Sequence, residues 1–500
     1  MQLKMLIDGK LVEGDYSLDV VNPATAMPFA TCGRASAQQL EVAVDAAKRS
    51  QPGWARLSFQ QRGAFLKRLC DAIEARTEEF ARLLTLEQGK PLRQARSEVS
   101  GGLVRIRYYA TLDCPPVVLR DNEREQIVQE HVPLGVIAAI TPWNFPFSLL
   151  VSKIAPGLIA GNTIVAKPAP TTPLTTLLLG EVAADILPPG VLNVIVDAND
   201  LGSRLTTHPD ISKVGFTGST ETGKRVMQAA AQSLKRLTLE LGGNDAAIVL
   251  DDAEVGKVAR KVFEAAMVNA GQVCLAAKRV YVPASMLDGF FDELAELARS
   301  VIVGDGLDEK TQMGPLQNQQ QYEKVLKLIE SARLEGAVIA GGCSTDGPGY
   351  FIAPTIVRGL TDDAELVRSE QFGPVLPVLS YDTVDEVIER ANATPFGLGA
   401  TVWSSDYRKG AEVARRLEVG TAWVNRHLNL APDVPFGGAK ESGIGHENGI
   451  EGLKGVMQLK ILNIEKGAAA QGATSRSMTK QNQVETSGIA GPASAGAAKS

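Results

Sequence analysis

Short apolar, β-branched segments alternate with helical ones through the middle of this chain, and that rhythm limits its fold more than any other feature. Residues 163–166 (Thr-Ile-Val-Ala) precede a helical stretch at 175–186. Residues 191–196 precede a short helix, and 213–216 precede the helical 222–233. Strands joined in this way must run parallel, with right-handed crossovers, helices on both faces and ligands at their carboxyl ends. The rhythm restarts at 246–250 and continues through strands at 280–282, 375–381, 399–403 and 421–425, separated by helices at 255–269, 286–302 and 383–392. The fold class expected is therefore α/β, with two parallel-sheet units.

The flanks read differently. Residues 36–49 and 60–87 carry apolar residues at helical spacing, and 126–140 alternates before becoming a β-branched run, which predicts strands including a hairpin. Residues 455–464 read as a late strand with nothing after it to pair with. Such an edge invites another chain, so it is expected to complete a sheet in a partner subunit. From 466 to 500 the chain is mostly Ala, Gly, Ser, Thr and Gln with no aromatic residue, and reads as a flexible tail.

Composition excludes several classes. At 500 residues with 44% hydrophobic content a large core can be buried, and a net charge of -6 without a basic run argues against nucleic acid. No apolar run reaches the roughly 18–20 residues of a membrane span. Residues 1–10 are mixed and charged, unlike a signal peptide. Five scattered cysteines with no CxxC pair, and only four histidines, speak against a disulfide framework and against a metal site. A cytoplasmic protein without metal is expected.

Four segments carry chemistry. Cys274 lies in Asn269-Ala-Gly-Gln-Val-Cys274; a lone cysteine is most often a small buried hydrophobe, but Gly271 and Gln272 interrupt a helix here. The expected setting is a turn opening into a helix, whose N-terminal dipole favours thiolate. Glu240 ends an apolar strand before Leu241-Gly-Gly243; it is either a buried, ion-paired or exposed carboxylate, or a general base with a raised pKa. The two glycines allow a close approach of another segment or a ligand. Asn144, in a loop fixed by Pro142 and Pro146, either caps a turn or donates to a developing oxyanion. Phe216-Thr-Gly-Ser219 follows a strand and opens a helix, which suits a pyrophosphate or an ordinary helix cap, and GxGxxG is absent.

Together these segments resemble the aldehyde dehydrogenase superfamily, in order and spacing, from about residue 6 to 464. The resemblance implies Cys274 as nucleophile, Glu240 as general base, Asn144 as oxyanion donor and Lys153 as the lysine near that site. Thr141, Trp143, Lys167, Gly218 and Ser219 would contact NAD(P)+, with Glu370 on the nicotinamide ribose and Phe372 beside the ring. Pro435-Phe-Gly-Gly-Ala-Lys-Glu-Ser-Gly443 resembles the signature that shapes the substrate funnel, with Phe436 and Phe147 as aromatic walls. Arg426 and His427 follow in the funnel loop, expected to face solvent unless either pairs a remote substrate carboxylate.

On this resemblance residues 1–117 with 140–242 form the NAD(P)-binding domain and 243–440 the catalytic domain. Residues 118–139 with 441–465 form a small β oligomerisation element, in a homodimer or homotetramer. Many NAD-preferring members carry Glu where Pro170 stands; a carboxylate there would bond the ribose 2′-OH and repel a 2′-phosphate. Its loss implies that both cofactors bind, with a slight lean to NADP. The implied reaction is oxidation of an aldehyde or semialdehyde to the acid. The rival readings are a CoA-acylating dehydrogenase, disfavoured by Glu240, a cysteine hydrolase, which needs a histidine that no motif links to Cys274, and a binding protein without turnover.

Overall fold

The computed structural model describes residues 3–342 and 347–467. Most of the expected tail, and Cys343, lie outside the described residues. Among the described residues, those up to 114 and from 131 to 459 form one compact unit, and 115–130 with 460–467 form a second.

The first unit contains both predicted parallel sheets. Five strands make the centre of one: β1 (Val136–Ile140), β2 (Thr163–Lys167), β3 (Leu192–Val194), β4 (Ile211–Thr217) and β5 (Arg236–Glu240), in the order β3-β2-β1-β4-β5 and all parallel. The chain builds outward from β1 to β3, then returns to the other side of β1, so the order reverses between β1 and β4. Every residue of β1 and β2 is buried, as expected where helices cover both faces. Two short N-terminal strands, Met5–Ile7 and Lys10–Val12, extend this sheet beyond β3, and Gly443–Ile444 closes it antiparallel to β5.

The second sheet holds β6 (Asp245–Val249), β7 (Ala277–Pro283), β8 (Thr355–Arg358), β9 (Val375–Tyr381), β10 (Gly399–Trp403) and β11 (Thr421–Val424), in the order β8-β9-β7-β6-β10-β11 and again parallel. Four residues, Leu241 to Asn244, carry the chain from the end of β5 to the start of β6. The carboxyl end of one sheet thus leads directly into the amino end of the other.

Four helices matter for the site: α1 (Leu92–Tyr109), α2 (Pro146–Ile159), α3 (Thr220–Ala231) and α4 (Val255–Met267). Pro146 starts α2, where its missing N–H costs nothing, and the Ser219 hydroxyl caps α3 by accepting from Thr222 N at 3.3 Å.

Val117–Asp121 and Glu125–Pro133 form a hairpin, one arm of which lies before the 126–140 stretch in which a hairpin was expected, and Met457–Glu465 adds to it in the order Met457–Glu465, Glu125–Pro133, Val117–Asp121. The late strand, with nothing after it to pair with, thus pairs upstream within its own chain and lies at a sheet edge. The small β element is also narrower than expected. Val136–Ile140 is buried on both faces as the middle of the first sheet, and Gly443–Ile444 pairs with β5.

Candidate active site

The Cys274 segment begins where α4 stops. Asn269, Ala270 and Gly271 take left-handed φ values of 52, 54 and 72°, which folds the chain back sharply. Gly271 is required there: a Cβ would lie 2.1 Å from the Gly373 carbonyl oxygen. A turn closed by Ala276 N on Val273 O (3.1 Å) then leads into β7. The thiol therefore precedes a strand, not a helix, and no helix dipole acts on it as expected. The strand starts three residues before the Val280–Tyr–Val282 run because Lys278 and Arg279 turn their charges to buried backbone carbonyls. Burial pushes the Cys274 thiol up to about 12; Lys278 pulls it down, while Glu370, Asp245 and Glu240 push it further up. At neutral pH the protein alone holds a thiol.

Two groups fix this turn that the sequence reading did not find. The Lys278 ammonium donates to the carbonyls of Val273 (2.5 Å), Cys274 (3.1 Å) and Ala276 (3.4 Å). His427 was expected to face solvent. It packs on Trp423 instead, with ring centroids 5.1 Å apart, and places Nε2 2.6 Å from the Leu275 carbonyl and Nδ1 against the Thr401 hydroxyl. Burial lowers its pKa to about 4, so the neutral ring donates from Nε2 to Leu275 and accepts at Nδ1.

Asn144 stands beside the same turn. Its Nδ2 donates to the Gln272 carbonyl at 3.0 Å, two residues before the thiol, and one Nδ2 proton remains free. Its own carbonyl is held by the Lys90 ammonium (2.9 Å) and the Asn269 amide (3.1 Å). Lys90 is fully buried, lies 3.8 Å from the Phe145 ring centre and pairs with Glu98 at 2.5 Å. The second Glu98 oxygen accepts from Phe147 N and Ser148 N, both at 3.1 Å, and so caps α2. This buried ion pair joins residues far apart in sequence to the loop, and no local motif announces it.

Glu240 is the last residue of β5 and is buried, with neither carboxylate oxygen hydrogen-bonded among the described residues. Burial raises its pKa well above the usual carboxylate range; Glu447 adds to the rise and Lys153 opposes it. Lys153 does not stand alone: its ammonium donates to Glu447 Oε1 and to the Thr217 hydroxyl, both at 2.6 Å. The crossing after Glu240 shows why two glycines follow. A Cβ on Gly242 would lie 2.6 Å from Glu370 Oε2, and one on Gly243 would lie 2.5 Å from the Cys274 carbonyl oxygen. The base strand, the thiol turn and Glu370 thus meet at one crossing.

The residues expected to hold a dinucleotide cluster where the strand order of the first sheet reverses. Thr141 follows β1 and its buried hydroxyl has no partner among the described residues; Lys167 ends β2, paired with Asp197 at 2.7 Å; Gly218 and Ser219 follow β4 at the start of α3. Hydroxyls, an ammonium and a helix N-terminus at the carboxyl ends of parallel strands are a fitting donor set for a ribose and a pyrophosphate. Nearer the thiol, Glu370 Oε1 accepts from Gly243 N at 3.0 Å. Phe372 holds a left-handed φ of 53° with its ring edge-on to Trp143 at 5.4 Å. Strain of that kind in a non-glycine residue concentrates at ligand sites.

The expected substrate residues fare unevenly. Phe436 is buried in a cluster with Cys274, Phe145, Trp423 and Leu428. Phe147 is not there. Because Pro146 starts a helix, Phe147 turns toward Gly102 and packs edge-on to Phe80 at 5.4 Å in the core, 1% exposed. Phe145, just before the helix, takes the position that sequence reading gave to Phe147. Arg426 is exposed and has no hydrogen bond or ion pair among the described residues.

Three comparisons bear on this arrangement. The sequence model of the aldehyde dehydrogenase family matches residues 11–462. A betaine aldehyde dehydrogenase of Rhizobium etli is 39% identical over 474 residues, which cover 93% of this chain and 96% of that relative. Among solved structures, the NAD+ complex of an aldehyde dehydrogenase from Bacillus cereus superposes with a TM-score of 0.91 at 37% identity, over 93% of this chain and 97% of the other. An NADP-dependent enzyme of E. coli superposes with a TM-score of 0.90 at 34% identity, over 93% and 98% of the two chains.

Proposed function

Since this chain belongs to the aldehyde dehydrogenase family, we propose that it oxidises an aldehyde to the carboxylic acid through a thioester on Cys274, with NAD(P)+ as the oxidant. One observation carries the reading: Asn144 is hydrogen-bonded to the Cys274 turn, while the strand ending at Glu240 runs through glycines that pack on that turn.

The residues supply the steps in order. The Cys274 thiol gives its proton to water and the sulfur adds to the aldehyde carbon; Lys278 is the protein cation that favours the anion. The oxygen that gains the electron pair is stabilised by the free Asn144 Nδ2 proton and the Cys274 backbone N–H. When bound, NAD(P)+ would be held by Thr141, Lys167, Gly218, Ser219 and Glu370 and would supply the hydride acceptor that lets that oxyanion collapse to the thioester. Glu240 then takes a proton from water, the oxygen attacks the thioester, the C–S bond breaks and the acid leaves. A buried carboxylate with a raised pKa suits that proton transfer near neutrality. The base also argues against a CoA-acylating enzyme, in which a thiol replaces water.

The buried cluster of Phe145, Trp423, Leu428 and Phe436 around Cys274 supports an apolar path for the substrate carbon chain. Pro170 stands in place of a carboxylate that would bond the ribose 2′-OH and repel a 2′-phosphate, which supports binding of both cofactors with a slight lean to NADP. The edge position of Met457–Glu465, with Leu459 and Ile461 each 49% exposed, supports assembly of two or four copies.

Incubation of the full chain with NAD+ or NADP+ and a panel of aldehydes, following nicotinamide reduction, tests the activity. Reduction dependent on both aldehyde and Cys274 is expected. Its absence with every aldehyde would refute the reading, and a strict NAD preference would reject the lean to NADP.

A further inference from the structure

We infer that Arg105 forms an anion-recognising subsite beside the catalytic pocket, making the preferred substrate an aldehyde with a carboxylate at its far end. The inference rests on the proposed activity and names its substrate class. Arg105 lies on α1, half-buried. Its Nη1 donates to the Ser148 hydroxyl at 3.1 Å and its Nε to Asn448 Oδ1 at 3.1 Å. Both partners are neutral, and Nη2 makes no hydrogen bond among the described residues.

The nearby carboxylate is engaged elsewhere. Glu447, next to Asn448, gives one oxygen to Lys153 at 2.6 Å and the other to Ser152 at 2.8 Å. Arg105 forms no ion pair among the described residues; burial penalises its charge, and the charge of Glu447, bonded to Lys153 and Ser152, offsets only part of that penalty. A partly desolvated guanidinium with neutral partners and a free N–H face suits a carboxylate from outside, which it can engage with two parallel hydrogen bonds.

Its anchors place it by the reacting centre. Ser148 is one helical turn beyond Asn144, at the start of the helix that Phe145 precedes. Asn448 follows Glu447, whose backbone pairs with Phe436 through bonds of 2.7 and 2.9 Å. Phe145 and Phe436 both belong to the apolar cluster around Cys274. An aldehyde gripped at its carboxylate by Arg105 therefore runs its carbon chain along these rings toward the thiol. A cationic substrate such as a quaternary ammonium aldehyde meets the wrong charge, which separates this chain from the activity in its betaine aldehyde dehydrogenase relative's name.

The test compares succinic semialdehyde, butanal and betaine aldehyde on the full chain with NAD(P)+. The parent should favour succinic semialdehyde, or its homologue longer by one or two methylenes, over the neutral aldehyde of equal length by about 10- to 100-fold in kcat/KM. Betaine aldehyde should be the poorest. Arg105→Met should erase that preference by raising KM for the acid while butanal keeps its kcat/KM, and Arg105→Lys should restore part of it. A binding readout needs no turnover: glutarate should slow alkylation of Cys274 in the parent and not in Arg105→Met. Equal losses on charged and neutral aldehydes, no preference in the parent, loss in Arg426→Ala rather than Arg105→Met, or protection by glutarate in both proteins would each overturn the subsite. Failure of every aldehyde to reduce nicotinamide, with glutarate protection intact in the parent alone, would fault the activity and leave the anion site standing.

Discussion

Replacing Asn144 with Ala removes one group whose two jobs differ greatly in size. In the resting protein its Nδ2 makes one hydrogen bond, to the Gln272 carbonyl at 3.0 Å, and that carbonyl also accepts from the Asn269 amide at 3.3 Å. The carbonyl is therefore not orphaned by the change, and the loss of stability should be about 1 kcal/mol. In the transition state the remaining Nδ2 proton faces a full oxyanion in a buried site. Removing one such donor typically costs about 2.7–4 kcal/mol, or about 100- to 1,000-fold in kcat. Steady-state kinetics on Asn144→Ala, with thermal unfolding of the same sample, separates the two effects. Asn144→Asp should be worse still, because a carboxylate beside the Gln272 carbonyl and the oxyanion repels both. A fall of less than about tenfold in kcat/KM, or a loss of activity matched by gross destabilisation, would refute the assignment of Asn144 as oxyanion donor.

Other expectations follow from the charged groups around the thiol. Because the Glu240 pKa is raised by folding, the folded state binds more protons than the unfolded chain above pH about 4.5, so this group lowers stability as pH rises through that window. Glu240→Gln should therefore gain stability relative to the parent at pH 8 compared with pH 5, and chemical unfolding at the two pH values reads the sign directly. Alkylation of Cys274 by iodoacetamide in the cofactor-free protein should keep accelerating toward pH about 12, and Lys278→Met should move the profile further up; an unchanged profile would remove Lys278 as the thiolate's cation. Lys90→Met leaves Glu98 buried and uncompensated, and should cost about 3–5 kcal/mol of stability; Lys90→Met with Glu98→Gln should recover much of it.

The parts of this molecule legible in the sequence are those written locally. Runs such as 164–166 and 246–250 are apolar throughout because both sheet faces are covered, and the crossing glycines at 242 and 243 mark a close approach that only glycine permits. Misreadings came where a neighbour decides. The strands Met5–Ile7 and Lys10–Val12, which the sequence reading did not assign, are three residues each; the first pairs with β3 and the second with the first, and neither has a period of its own. Cys274 reads as a helix start because Gly271 and Gln272 interrupt a helix just before it, yet the chain continues into a strand in which Lys278 and Arg279 are buried on carbonyls. Phe145 and Phe147 differ only by the Pro146 between them, and the helix it starts sends Phe147 into the core. Lys90, Glu98 and His427 act across sequence separations that no single motif spans.

The most direct measurement is the mass of the enzyme during turnover when its base is gone. Glu240→Gln, mixed with an aldehyde and NAD(P)+ and quenched in acid within the first turnover, should show a burst of reduced nicotinamide of one equivalent per subunit. The peptide containing Cys274 should carry the acyl group in the same amount, and release of acid should be slower than in the parent by about 100- to 10,000-fold. Reduced nicotinamide accumulating at the parent's steady rate, with Cys274 unmodified, would contradict a thiol at 274 and a base at 240 acting on one carbonyl carbon.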